Sequence, residues 1–332
     1  MRTYLVTGGC GFIGSNYIHY MLNTYNYVYI INIDKLTYAG NLRNLDGIRD
    51  ESRYKFIQAD ICDAESVRGI FEVYDIDRVV HFAAESHVDR SIVSSSQFIK
   101  TNVLGTQVLL DVAKSVWKTG ERTYRENKKF LYVSTDEVYG ALEEGEESFK
   151  ETSPYNPHNP YSASKAAGDL LVKAYIDTYH FPANITHSSN NFGPRQHEEK
   201  LIPMVIKSIV DGAEIPIYGD GKNVRDWIYV EDHVRGLDMI QEYGKLYETY
   251  NLGGNNERSN IEIVESIVQT FRSIGCDDMA ARVKITFVKD RLGHDKRYAV
   301  NVGKMDRDLG WRPRITFEEG MRKTVEWYVE RR

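Results

Sequence analysis

Cysteine is nearly absent from this chain of 332 residues: Cys10, Cys62 and Cys276 are all it has, odd in number and far apart. Such spacing excludes a disulfide framework and leaves no CxxC or zinc-type pattern, so a metal-free protein is expected. Long apolar runs are missing too, and none approaches the ~20 residues of a bilayer-spanning helix. The early run Tyr4-Leu5-Val6 reads as a strand, without the basic stretch, apolar core and cleavage site of a leader, so a cytoplasmic location is expected. Charge is close to balanced, 42 Lys and Arg against 48 Asp and Glu, a net −6, with an acidic stretch at 142–151 and no basic counterpart. Without a basic block, neither nucleic acid nor a membrane surface is an expected partner. Internal repeats and low-complexity tracts are lacking as well.

What remains is ordinary globular composition, 42% apolar and 27% charged, with chain enough for one large domain or two ordinary ones. Residues 4–7, 27–33, 54–58, 78–82, 129–134 and 184–188 read as strands, and 13–23, 64–74, 101–117 and 162–179 as helices between them. Several of these strands are apolar with little polar alternation, as happens where helices cover both faces of a parallel sheet. Repeated βα units predict an α/β fold with a doubly wound sheet. After residue 190 Gly and Pro become frequent, as at Gly193-Pro194, Pro203, Gly212 and Pro216, and the alternation stops. The reading is a cofactor-binding domain over 1–190 and a smaller α/β substrate-binding domain over 191–332, completed by a helix at 317–330. Segments 227–230 and 250–252 read as strands returning to the main sheet, so 224–254 is a returning segment. The polar stretches 118–128 and 142–151 read as solvated loops.

Gly8-Gly9-Cys10-Gly11-Phe12-Ile13-Gly14 follows the first strand and opens the first helix. Glycine lets the backbone bend sharply and lets a pyrophosphate approach its amides, while the helix start offers free N–H groups and a favourable dipole. Tight turns also collect glycine, so the context carries the reading. Asp34 ends the second strand 20 residues after Gly14, the distance at which an acidic side chain meets the adenosine ribose of a Rossmann-type fold. A carboxylate there repels a 2′-phosphate, which favours NAD over NADP. Asp60-Ile61 could hold the adenine edge, and Asp60 could equally cap its loop.

Tyr161 and Lys165 stand on a helix opened by Asn159 and Pro160, four residues apart and hence on one face. A nearby ammonium stabilises tyrosinate and lowers the phenol pKa, making a base near neutral pH. The glycine pattern and YxxxK together resemble the extended short-chain dehydrogenase/reductase family, and the resemblance runs the length of the chain. Members mostly act on nucleotide-activated sugars. Within that family, Ser134-Thr135-Asp136-Glu137-Val138-Tyr139-Gly140 resembles the sugar 4,6-dehydratases; in the epimerases a small hydroxyl residue takes the place of Thr135 and no Asp–Glu pair follows.

The resemblance implies NAD-dependent dehydration of dTDP-glucose to dTDP-4-keto-6-deoxyglucose, a step toward deoxysugars such as rhamnose. It implies Tyr161 as the base for the C4 hydroxyl, Lys165 as its partner and a ribose ligand, and Thr135 on the C4 oxygen. Glu137 would take the C5 proton and Asp136 would protonate the C6 leaving group. Two close carboxyl groups resist ionising together, so one is kept as an acid. Along the cofactor the resemblance implies Gly8, Gly11, Phe12, Ile13, Gly14, Asp34, Lys35, Thr37, Asp60, Ile61, Phe82, Ala83, Ala84, Ser86, Thr101 and Asn191, besides Tyr161 and Lys165. Along the nucleotide sugar it implies Ser86, Thr135, Asn190, Lys200, Leu201, Pro216, Ile217, Tyr218, Arg225, Asn260, Asp290, Arg291 and His294, the cations meeting the diphosphate.

Departures from the family pattern are Cys10 for Ala, Phe192 for Tyr, Leu292 for Pro, and Arg195-Gln196-His197-Glu198-Glu199 where an aromatic and a proline usually precede Glu-Lys-Leu. They leave base and sugar open, so a dehydratase or epimerase of a UDP- or GDP-sugar is one alternative. A nucleotide-sensing module without catalysis is another. His81 and His87, with no third ligand near, read as hydrogen-bonded structure rather than a metal site. Helices 101–117 and 162–179 match the pair that builds dimers in the family, which implies a homodimer.

Overall fold

The computed structural model describes residues 1–48, 50–290 and 292–331. Its strands are β1 (Arg2–Thr7), β2 (Val28–Asp34), β3 (Tyr54–Gln58), β4 (Arg78–His81), β5 (Lys129–Thr135), β6 (Ala183–Ser188), β7 (Asn190–Phe192), β8 (Glu214–Tyr218), β9 (Val224–Tyr229), β10 (Thr249–Leu252), β11 (Glu257–Ser259), β12 (Lys284–Val288) and β13 (Arg297–Tyr298). Among the described residues, seven of them form a parallel sheet in the order β10-β6-β5-β4-β1-β2-β3. The order reverses between β1 and β4, the switch point outside which ligands bind at the carboxyl ends of such strands.

Helices cover both faces. Tyr4 and Val6 of β1 pack with Tyr17, Leu237 and Ile240 on one side, while Leu5 packs with Ile70, Leu109 and Val172 on the other. That two-sided burial is why β5 is buried from end to end and shows no polar alternation. The expected α/β doubly wound sheet is the observed architecture.

One returning strand is corrected. Of the two segments expected to rejoin the main sheet, β10 does so beside β6, but β9 pairs with β7, β11 and β13. The helix Val230–Tyr243 begins at the residue after β9 and carries the chain across the sheet face before β10 can pair. Strand β12 pairs with β8 in a small sheet of its own.

The two polar loops are tethered rather than free. Lys128 buries its ammonium against Asp75 and Asp77, at 2.8 and 2.9 Å. Phe149 bridges to Val300, and Glu151 accepts the Asn251 N–H at 3.0 Å. Those partners lie far off in sequence, so composition alone cannot reveal them. The helix expected from Thr101 has a widened π stretch, Ile99–Gly105, ahead of regular turns at Thr106–Trp117. Asn102 within it donates to the Glu85 carbonyl at 3.0 Å and to Ser164 Oγ at 2.8 Å, joining the loop after β4 to the helix Pro160–Tyr179. A π bulge of this sort often marks a functional site.

Candidate active site

The carboxyl ends of β1, β4, β5 and β6 open on a cavity of about 500 Å³. Every site residue expected from the sequence and described here lines it, except Asp290. Asp290 instead holds His294, whose Nδ1 lies 2.6 Å from its Oδ1. Arg291 lies outside the described residues.

On the cofactor side the backbone leaves no space for side chains. Gly8 has φ 70°, and a Cβ there would lie 2.7 Å from the Ala83 backbone; one on Gly14 would lie 2.5 Å from the Gly8 carbonyl. The helix Phe12–Thr24 starts at Gly11 with no side-chain cap, so its first N–H groups are left for a ligand. Asp34 folds over the turn, accepting the Cys10 N–H at 2.9 Å and the Leu36 N–H at 2.8 Å, and burial pushes its pKa up. Lys35 pairs with Asp60 at 2.7 Å, while Asp60 accepts the Cys62 N–H at 2.9 Å. Asp60 therefore caps its loop and lines the cavity at once. This bare glycine turn, uncapped helix start and acidic residue closing β2 fit a dinucleotide. Gly8→Ala is accordingly expected to weaken NAD binding roughly 100-fold, or ~2.7 kcal/mol, in a fluorescence titration of a variant that still unfolds cooperatively.

His81 is a neutral strut. Its Nε2 faces the Thr106 hydroxyl at 3.0 Å, which itself donates to the Asn102 carbonyl at 2.7 Å, so Nε2 carries the proton. Nδ1 then accepts from Thr7 at 2.7 Å, and burial holds the ring's pKa far below its usual value. Thr7 in turn accepts the Ala83 N–H at 3.1 Å, which fixes the loop beside the glycine turn. His87 takes a different place: it lines the cavity, with Nε2 3.5 Å from Glu199.

The strand β5 ends by delivering three reactive groups in a row. Thr135 caps the short turn Asp136–Tyr139 by accepting the Glu137 N–H at 3.3 Å, and its hydroxyl lies 3.3 Å from Asp136 Oδ1. Asp136 is only 2% exposed, and its Oδ2 has no hydrogen-bond partner. Burial, then Glu137, then Asp226 raise its pKa far above the carboxylate range, against a smaller pull from Arg225. That direction favours the protonated, acid form of Asp136. Glu137, half-buried, receives Asn159 Nδ2 at 3.5 Å.

Asn159 also forms a full capping box with Ser162 and is followed by Pro160, which starts the helix carrying Tyr161 and Lys165. One expectation is corrected here. The Tyr161 phenol is not lowered: burial and then Glu137 push it up, with Thr135 opposing them. The Lys165 ammonium donates to the Val133 carbonyl at 2.8 Å instead, and burial draws it down to about 8. Four-residue spacing puts two side chains on one face but does not say where a long side chain ends.

On the substrate side, Lys200 donates to the Ser86 carbonyl at 3.0 Å. Arg225 is buried among backbone carbonyls of Val224, Asp295 and Lys296, 4.3 Å above the Tyr298 ring. Among the lining residues that escaped sequence reading as site members are His87, Gln196, Glu199 and Trp227. Gln196 and Glu199 lie in the stretch where this chain departs from the family pattern. That departure was itself the signal that could have found them.

A family model described as GDP-mannose 4,6 dehydratase matches residues 5–324. A dTDP-glucose 4,6-dehydratase of Salmonella typhimurium is 50% identical over 334 residues, covering 98% of this chain and 92% of that protein. The crystal structure of a Streptomyces venezuelae dTDP-glucose 4,6-dehydratase with NAD and TDP bound is 42% identical, with a TM-score of 0.89 over 99% of this chain and 97% of that one. The Bacillus anthracis enzyme in complex with NAD is 42% identical at a TM-score of 0.87, again over 99% and 97%. With both cofactor cradle and acid–base groups present in one cavity, the chain belongs to the family of dTDP-glucose 4,6-dehydratases, within the extended short-chain dehydrogenase/reductases.

Proposed function

We propose that this chain dehydrates dTDP-glucose to dTDP-4-keto-6-deoxyglucose, with NAD as a recycled cofactor, Thr135, Asp136, Glu137, Tyr161 and Lys165 as its working groups, and residues 191–332 as the part that grips the sugar nucleotide. The observation that carries this reading is one buried carboxyl with an unbonded oxygen, Asp136, next to a half-buried one, Glu137, at the end of β5. A plain epimerase has no use for that pair.

NAD would be held by the 8–14 glycine turn, Asp34, Lys35, Asp60, Thr101, Lys165 and Asn191. When bound, it takes a hydride from C4 and returns it to C6, so it ends each cycle as it began. Tyr161 takes the proton of the C4 hydroxyl while Thr135 hydrogen-bonds that oxygen. The resulting C4 ketone acidifies C5–H, and the Glu137 carboxylate removes that proton. Asp136 donates its proton to the C6 hydroxyl, which departs as water. Glu137 then gives a proton back to C5. The proton taken by Tyr161 balances the one Asp136 lost, the two exchanging through solvent.

Because NAD is recycled, purified enzyme should convert dTDP-glucose to product with no NAD added. Turnover that consumes NAD in proportion to product would sink the proposal. We further propose a homodimer in the cytoplasm. Leu104 and Leu170, on or beside the two helices concerned, are 44% and 57% exposed, and the three cysteines are free thiols. Light scattering at micromolar concentration should give twice the chain mass; a monomer contradicts the dimer. No helix among the described residues is long and apolar enough to cross a membrane.

A further inference from the structure

A short hydrogen bond joins the two walls of the cavity at a point outside it. His158 precedes Asn159, the residue that caps the helix carrying Tyr161 and Lys165. Its Nδ1 lies 2.6 Å from Oδ1 of Asp295, 137 residues further along the chain. A ring nitrogen facing a carboxylate carries the proton, so Nδ1 donates. Nε2 then accepts from the Asn156 amide at 3.0 Å, and the Asn156 backbone N–H donates to the Val138 carbonyl at 3.0 Å. The imidazole is thereby braced against the turn that holds Asp136 and Glu137. The backbones approach here too: a Cβ on Gly293, at φ 61°, would lie 3.3 Å from the His158 carbonyl.

Asp295 is buried, and several parts of the substrate wall hang on it. Its backbone carbonyl accepts from Arg225 Nη2 at 2.9 Å and from Asn223 Nδ2 at 3.2 Å. Its Oδ2 accepts the Tyr298 hydroxyl, and the Tyr298 ring lies 4.3 Å beneath the Arg225 guanidinium. Asp295 thus supports Arg225 twice, by its carbonyl and by the ring it anchors. His294, next to it in sequence, lines the cavity edge-on to Tyr218, with ring centres 6.3 Å apart. The bonds from Asn223, Arg225 and Tyr298 arise within the substrate wall. The bond from His158 crosses from the catalytic wall, and a hydrogen bond to a carboxylate is of the stronger kind.

We propose that His158 is a positioning residue for the sugar nucleotide: by holding Asp295 it keeps Arg225 and His294 in place across the cavity from the acid–base groups. This rests on the reading of Arg225 and His294 as contacts of the sugar nucleotide. The catalytic wall does not need the bond, because Asn159 is held by its own capping box with Ser162. Its loss should therefore weaken the grip on substrate and leave proton transfer and NAD binding alone.

The test compares three variants in the full chain. His158→Ala removes the ring, His158→Phe keeps a ring without a donor, and His158→Asn puts an amide nitrogen where Nδ1 stood. Binding of dTDP, binding of NAD, kcat and KM for dTDP-glucose are measured, with hydrogen exchange over residues 294–299 of the ligand-free protein. The Ala and Phe variants are expected to raise the dTDP Kd and the KM about tenfold, while kcat and NAD affinity stay within about twofold. Exchange over 294–299 should speed up in both, and the Asn variant should recover most of the affinity. The His158 side chain is 37% exposed; if Ala nevertheless fails to fold, Phe against Asn carries the comparison. A folded Phe variant with unchanged dTDP affinity overturns the proposal, and so does an equal loss of NAD affinity, the mark of general loosening. Wild-type protein that binds no dTDP fails the nucleotide reading instead; faster exchange in the Phe variant would then still support the role of His158, and unmoved exchange would overturn it.

Discussion

Glu137→Gln is expected to stop the reaction after its first half. The amide keeps the shape and can still receive Asn159, but it cannot remove the C5 proton. A positioned base of this kind contributes about 10²–10⁴-fold, so release of dehydrated product should fall by that factor. C4 oxidation does not need Glu137, and the absorbance of the bound cofactor should therefore still change when dTDP-glucose is added. Asp136 adds a second signature. Glu137 is one of the charges that hold its proton; without it Asp136 loses that proton at a lower pH. Burial and Asp226 remain, so the acid should persist at neutral pH and the variant's residual activity should decline earlier as pH rises. A variant with wild-type product release would remove Glu137 from the mechanism. Rapid-mixing absorbance together with product analysis reads both halves.

Tyr161→Phe should act earlier and leave nothing to see. Its phenol is the group proposed to take the C4 hydroxyl proton, and it lines the same cavity as Thr135. Without the phenol the first oxidation fails, so turnover should drop by ~10³–10⁴-fold and the bound cofactor's absorbance should stay unchanged on adding sugar. The contrast with Glu137→Gln is the informative part, since both variants lose product but only one loses the spectral change. The phenol is pushed up by burial and by Glu137 in this chain. Its activation therefore has to come from the positive charge of the nicotinamide as well as from Lys165, and NAD binding should lower the pH at which Tyr161 ionises. An ultraviolet pH titration of Tyr161 with and without NAD measures this, and an unmoved phenol would contradict it.

The parallel sheet was legible because its signal is local. Apolar strands such as β5 alternate with helices, and Asp34 stands the right distance after the glycine turn. Thr135, Asp136 and Glu137 were legible through resemblance to a family, since composition cannot separate a catalytic Asp–Glu pair from a loop cap. The structure supplied the difference between the two carboxyls: one buried with an unbonded oxygen, the other half-open beside Asn159. What the sequence hid is what depends on distant partners. Strand β9 looks like a returning strand because it is apolar, yet which sheet it joins is decided by the helix that follows it. Lys128 looks solvated until Asp75 and Asp77 arrive from another loop. Lys165 shares a helix face with Tyr161, and spacing could not tell that its ammonium donates to the Val133 carbonyl.

The account stands or falls on elimination through C5, and one measurement addresses it directly: mass and magnetic-resonance analysis of the product made from dTDP-glucose in deuterated water, with no NAD added. The account predicts loss of one water and deuterium at C5, because the proton that Glu137 removes exchanges with solvent before it is returned. A product of unchanged composition with an inverted centre, or a dehydrated product without deuterium at C5, would contradict it.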